Sequence, residues 1–486
     1  MPVARSRHTA IAVLLCAAPF MTVLDSNVVA IALPAIRSDL DFSRGGLQWV
    51  VGAYSLAFGG ALLLAGRAAD LYGRKRLLIL GLASFSGASL AGALAPSAAA
   101  LLAARTAQGL GAAVAFPASL ALIAALYEPG APRNRALGVY GAIVSAAFVT
   151  GMLAGGVLTS ATGWRGTLLP GAVIGGVAAI ASIRLVPDPY APCGRSRPTL
   201  PGLLTAAAGV PVLLYGLGLS AQAGPPVAGP AAILSAAVLL GFALRFERRS
   251  ASPLVPRGLH WRSGLASATA GAALTVGTGV GVMFVLSLYL QDLLGYGPVA
   301  AGLAMTPLGV SGVVGGLLAP RIARRAGLVP ALAGALVVQA AGVALLTRMG
   351  VDAALPIVPI GTAAVGLGHF GATVMFTALA TAGVSDEDQG IAMGVISSAQ
   401  QIGGAAGLAV LVAVATATTA SATAGGAAAN EAVVEGFRWA LAAGAGLSLA
   451  AAVLVIALNE RRDPAPGRRP GSELRTTRSR ERSSPR

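Results

Sequence analysis

The chain has 486 residues, 56% of them hydrophobic and only 11% charged, with a mean hydropathy of +0.77. Soluble globular domains carry about 25% charged residues, so this composition excludes a soluble protein and calls for a bilayer. The net charge of +16 is spread over short connecting segments and a tail rather than gathered on one face, which argues against a nucleic-acid partner.

A spanning helix needs about 20 mainly apolar residues. Fourteen stretches meet that requirement, at 10–32, 47–67, 77–95, 99–127, 136–158, 168–186, 201–221, 229–246, 264–290, 299–320, 327–348, 353–381, 390–416 and 436–458. They predict an all-α integral membrane protein. The first stretch is too long for a signal-peptide core and has Asp25 inside it, so it reads as the first span. An even number of spans puts both termini on one side. The segments on that side carry 28 Lys and Arg and the opposite segments five, so both termini are expected in the cytoplasm of a multi-pass cell-membrane protein.

Within the first span runs LDSNVVAIALPAI, Leu24 to Ile36. Asp25 is the acidic residue that lies deep in a span, and a carboxylate there is costly enough to mark a function. The turn between the second and third spans, GRAADLYGRKRLL from Gly66 to Leu78, sets Asp70 and a basic cluster beside glycines that permit a tight turn. In the fourth span, RTAQGLGAAVAFP places Arg105, Gln108, Gly109 and Ala112 on one helix face. Counting from the span ends puts Asp25 and Arg105 at a common depth, about 10 Å below the outer boundary. They can therefore meet. Arg105 keeps its proton, so protonation of Asp25 would compete with pairing, which is a means of coupling protons.

In the fifth span, TGMLAGGVL from Thr150 to Leu158 gives Gly151, Gly155 and Gly156 a small face that admits a neighbouring helix. Segments rich in Pro or charge flank the seventh and eighth spans, so the chain divides into a six-helix bundle at 1–186, linkers and a two-helix insertion at 187–262, and a second six-helix bundle at 263–458. APRIARRAG, Ala319 to Gly327, is a degenerate echo of the first basic turn, with Gly327 matching Gly73 and Arg324 in place of Asp70. In the twelfth span, His369 could titrate or serve as a packing histidine. Asn27, Gln108 and His369 are candidates to line a substrate cavity. The residues 459–486 form a basic, Pro- and Ser-rich tail expected to be disordered and to touch anionic lipid.

These motifs and their order resemble the major facilitator superfamily, and within it the fourteen-span branch of drug:proton antiporters. The match rests on Leu24–Ile36, Gly66–Leu78, Arg105–Pro117, Thr150–Leu158 and SLYLQDLLGYGPVAAGLAMTP, Ser287 to Pro307. TGWRGTLLPG, Thr162 to Gly171, matches in part, and Met152 stands where the fifth-span motif usually has Pro. The resemblance implies a proton-coupled exporter of small organic molecules working by alternating access. It implies that Gly66, Asp70, Gly73 and Arg74 govern the switch between inward and outward states, and that the Gly151, Gly155 and Gly156 face belongs to antiporters. A proton:solute symporter is an alternative within transport, and a membrane sensor or lipid scramblase is one outside it. No enzyme signature, phosphate-binding loop or metal-ligand spacing is present, so no cofactor and no metal are expected. The partners expected are a small-molecule substrate, protons and lipid, with the chain a monomer. One lysine among 34 basic residues and 65 glycines suggest a bacterial source with a GC-rich genome.

Overall fold

The computed structural model describes residues 10–128, 131–188, 263–350, 356–384 and 388–460, with a few helical positions between 234 and 245. Twelve long helices fill these segments. The first six are α1 (Ala17–Leu40), α2 (Arg44–Tyr72), α3 (Arg74–Ala93), α4 (Ala98–Leu126), α5 (Ala131–Gly166) and α6 (Leu169–Leu185). The second six are α7 (Ser263–Leu288), α8 (Pro298–Ala326), α9 (Leu328–Leu346), α10 (Ile357–Thr381), α11 (Gln389–Ala424) and α12 (Ala429–Glu460). Eleven are long and apolar enough to cross a membrane, with α1 extended back to Ala10; α6 is shorter. The stretches 201–221 and 229–246, read from the sequence as two inserted spans, lie outside the described residues save for those few positions.

Several helices outrun their predicted spans. Ser43 caps α2 by accepting the Gly46 N–H at 2.9 Å, which fixes its start before the apolar run begins. Helix α11 has 36 residues, a length of about 54 Å against a hydrocarbon core of about 30 Å, so its last turns project beyond the bilayer. Hydropathy marks where a helix is buried in lipid, whereas hydrogen bonding decides where it ends.

The two sets of six repeat one packing plan. In the first, α1 packs on α5, α2 and α3 on α4, and α3 on α6; in the second, α7 packs on α11, α8 and α9 on α10, and α9 on α12. The repeat reaches the backbone of the matching turns. Gly73 between α2 and α3 has φ 99°, and Gly327 between α8 and α9 has φ 88°, a region that only glycine enters without strain. Where α7 meets α11, a Cβ on Gly407 would lie 2.3 Å from Gly277 Cα. Such close backbone approach holds helices together in lipid, where apolar burial alone gives no preference.

The bundles meet through α2 with α11 and α5 with α8. At the end carrying the α1–α2 turn, a single apolar core spans both bundles, including Val29, Ile36, Leu47, Val285, Leu290 and Met305. At the opposite end the core splits in two. One cluster, with Leu62, Leu78 and Leu122, belongs to the first bundle, and another, with Leu265, Leu332 and Phe376, belongs to the second. The molecule is therefore closed at one end and parted at the other.

Candidate functional site

The structure brings Asp25 of α1 and Arg105 of α4 together in an ion pair, 3% and 1% exposed respectively. A network of hydrogen bonds surrounds them. Arg105 donates Nε to the Val50 carbonyl at 2.9 Å and a terminal nitrogen to Gln108 Oε1 at 2.9 Å, and its guanidinium lies 4.6 Å over the Tyr54 ring. Gln108 in turn donates to Asp25 Oδ1 at 3.1 Å and to Ser89 Oγ at 2.8 Å. Ser89 completes the chain by donating to the Phe85 carbonyl at 2.8 Å. A buried pair this well satisfied survives the desolvation that would expel a bare charge. Loss of the Asp25 charge would leave Arg105 with the Val50 carbonyl and Gln108 in place, whereas loss of Arg105 would leave Asp25 with Gln108 alone.

Local sequence builds this cluster. Arg105, Gln108, Gly109 and Ala112 share the buried face of α4. A Cβ on Gly109 would lie 2.3 Å from the Tyr54 carbonyl, so glycine there lets α2 approach and present Val50 and Tyr54 to Arg105. Ser89, Val50 and Tyr54 were invisible to sequence reasoning. They come from other helices, and nothing in their spacing marks them.

Of the residues read as cavity candidates, Gln108 is fully buried in the ion-pair network, and Asn27 is 3% exposed, its Nδ2 donating to the Val23 carbonyl at 2.7 Å. His369 on α10 is half-buried, stands against Gly279 of α7 and meets Phe370 edge-on, while Phe370 meets Phe148 of α5 at 4.8 Å. Its Nδ1 has no partner. The His369 ring thus packs within the second bundle, and its neighbour Phe370 reaches across to the first. Separately, a cavity of about 680 Å³ with an almost wholly apolar lining opens among α2, α7 and α11, beside Leu63, Thr269, Ala273 and Ile402.

The basic turn has distinct parts. Arg74 donates to the Ala121 carbonyl at 3.2 Å and Lys75 to the Ile183 carbonyl at 2.9 Å, tying the start of α3 to the last turns of α4 and α6. Cations suit helix C-termini, where carbonyls are unpaired. A Cβ on Gly66 would meet nothing within 4 Å, so close approach does not explain that glycine. Asp70 belongs to the last turn of α2, and its side chain lies outside the described residues.

The glycines of α5 face two ways. Cβ atoms on Gly151 and Gly155 would lie 2.8 Å from Asn27 Cβ and 3.0 Å from Val28 Cα of α1, whereas one on Gly156 would lie 2.7 Å from the Pro298 carbonyl of α8. This small face packs α5 on its own bundle and on the other at once. Met152 is buried, and α5 runs without a break until Gly163, whose φ is 72°. Among the described residues no group of His, Cys, Asp or Glu could hold a metal ion.

The model of the Major Facilitator Superfamily matches residues 15–408. The chain is 38% identical over 473 residues to the puromycin resistance protein pur8 of Streptomyces alboniger, covering 93% of this chain and 92% of that protein. It is 36% identical over 416 residues to the cephamycin export protein CmcT of Amycolatopsis lactamdurans, covering 84% and 85%. Among solved structures, a bacterial homologue of the human lysosomal transporter Spinster, in an inward-facing and unoccupied conformation, superposes with a TM-score of 0.67 at 16% identity over 93% of this chain and 97% of that one. That likeness concerns the fold alone. With a family match over most of its length and two relatives above 30% identity across most of theirs, the chain belongs to the major facilitator superfamily.

Proposed function

We propose that this protein exports small organic molecules, antibiotics among them, in exchange for protons and by alternating access. The carrying observation is the buried Asp25–Arg105 pair held by Gln108. The relatives named for puromycin resistance and cephamycin export support the choice of cargo. The excess of Lys and Arg on the segments flanking the termini makes the α1–α2 end extracellular. On that orientation the single shared core closes the outer side, and the divided cores leave the inner side parted.

In the proposed cycle, a proton entering from outside converts the Asp25 carboxylate to the acid and breaks the ion pair. Arg105 then keeps Val50 and Gln108 as acceptors and can attract an acidic group of the cargo. Release of the proton inward restores the pair, the state seen here, ready for cargo from the cytoplasm. Asp70 and Arg74 act at the inner surface as the switch between states, His369 faces the cargo from the second bundle, and the α5 glycines let α1 and α8 slide. The stretches 201–221 and 229–246 complete a fourteen-span chain between bundles at 1–186 and 263–458, both termini are cytoplasmic, lipid contacts the basic tail, and the protein works as a monomer.

The test is efflux from membrane vesicles across a panel of antibiotics and dyes, with and without an imposed proton gradient. Gradient-driven export of at least one compound, abolished in Asp25→Asn with protein still inserted, is expected. Undiminished gradient-driven export by Asp25→Asn would overturn the coupling role, and inward accumulation of the compounds would indicate symport.

A further inference from the structure

The Pro34 end of the first-span motif and the motif that begins at Ser287, neither part used by the proton site, meet at the closed end of the molecule. Pro34 lies inside α1. It has no N–H, so the Ala30 carbonyl four residues earlier lacks its helical donor. Ala30 is 6% exposed and Ile31 fully buried, and an orphan carbonyl in such a place has no water to turn to.

The other bundle supplies the missing donor and places a second one beside it. Ser287, fully buried, donates its hydroxyl to the Ala30 carbonyl at 2.7 Å. One turn on, Gln291 donates Nε2 to the Ile31 carbonyl at 2.9 Å and to Ser287 Oγ at 3.1 Å. Gln291 belongs to a short π-helical turn, Tyr289–Leu293, in which the Leu294 N–H reaches the Tyr289 carbonyl at 3.1 Å. Such turns often accompany functional positions. The Tyr289 hydroxyl fastens this turn to the Gly350 carbonyl at 2.9 Å, and at the rim Arg37 and Asp292 form an ion pair at 2.7 Å.

We propose that Ser287, bonded to the Ala30 carbonyl that Pro34 frees, and Gln291, bonded to the adjoining Ile31 carbonyl, form a latch on α1, and that its strength sets how often the outer side opens. The idea rests on the alternating-access reading. To open, α1 and α7 must part, and the Ala30 carbonyl must exchange the Ser287 hydroxyl for incoming water. Pro34 is what makes that carbonyl available. Restoring an N–H at position 34 would give Ala30 a partner inside its own helix and leave the Ser287 bond redundant.

The experiment uses the full chain in proteoliposomes, with Cys16→Ser and Cys193→Ser, and Ala301→Cys as a reporter buried in the shared core. A membrane-impermeant maleimide is applied from outside. Ser287→Ala is expected to raise the labelling rate roughly three- to tenfold, the span of one net hydrogen bond, with Gln291→Leu moving it in the same direction. In a Pro34→Ala background, Ser287→Ala should add nothing. Unchanged labelling in both single variants, or an equal rise from Ser287→Ala with and without Pro34, would sink the latch. Should Pro34→Ala fail to assemble, the single variants decide. Normal proton-linked flux with unresponsive labelling rejects the latch alone, while responsive labelling without any flux rejects the exporter reading and leaves the latch standing.

Discussion

Arg105 shows how one buried charge organises its surroundings. It draws on a carboxylate from α1 and an amide from its own helix, both met by one terminal nitrogen, a carbonyl from α2 met by Nε, and an aromatic face under the guanidinium plane. Gln108 is the joint of this arrangement because it accepts from Arg105 while donating to Asp25 and Ser89. Gln108→Leu fills similar space but leaves those groups short of a partner. It should lower stability by about 1–3 kcal/mol, the penalty of an unsatisfied buried group, seen as a lower melting temperature in detergent. A melting temperature equal to that of the wild type would show that Gln108 is not the joint. The two glycines of the basic turn offer a sharper contrast. Gly73 sits at φ 99°, whereas Gly66 is inside α2 with open space where a Cβ would go. Gly73→Ala should destabilise by about 1–3 kcal/mol through backbone strain. Gly66→Ala should be neutral or stabilising by up to about 1 kcal/mol, since alanine is the better helix former. The reverse order in a thermal-shift comparison would contradict this geometry.

At the scale of the helix, α5 is the element whose two faces matter most. Gly151 and Gly155 seat it on α1, and Gly156 seats it on α8 of the other bundle. Gly156→Leu should therefore wedge α8 away at the outer end without touching the proton site. The expected outcome is an inserted protein whose outer side labels more readily and whose export falls, because closure is incomplete. A variant that labels and exports like the wild type would show that this contact is dispensable. The uninterrupted course of α5 past Met152 means that any bending in the cycle must come from Gly163 or from sliding against α1 and α8.

At the scale of the molecule, an apolar core shared at one end and divided at the other is one of the arrangements that the proposed alternating-access cycle requires. Charge then limits what the protein can carry. Asp25 is the buried carboxylate of the described helices, whereas Asp292, Glu431 and Glu435 lie at helix ends. A lipophilic dication needs two offsetting charges in a poorly solvating space, and one carboxylate that in the proposed cycle also carries the proton cannot supply both. Neutral, zwitterionic, anionic or monocationic cargo is expected. Competitive efflux of matched mono- and dicationic compounds at fixed pH checks this, and robust Asp25-dependent export of the dications would reverse it.

Sequence by itself determined that the chain is membranous and helical, that matching turns at Gly73 and Gly327 recur in its two halves, and which residues deserved attention, because hydropathy, charge and glycine geometry act locally along the chain. Asp25 and Arg105 stood out for the same reason, since a charge in an apolar run is visible without a fold. Only the tertiary structure decided who meets whom. Gln108 and Asn27 looked like equals in a cavity, yet helix rotation buries one in the ion-pair network and the other against α5. Ser89 and Val50 carry no local signal, and Ser287 stands in a motif that does not name its partner, because a hydroxyl or a carbonyl becomes informative only when another helix brings an unmatched partner to it. Pro34 stands within the first-span motif, but its consequence for Ala30 depended on α7 arriving with a donor at that height.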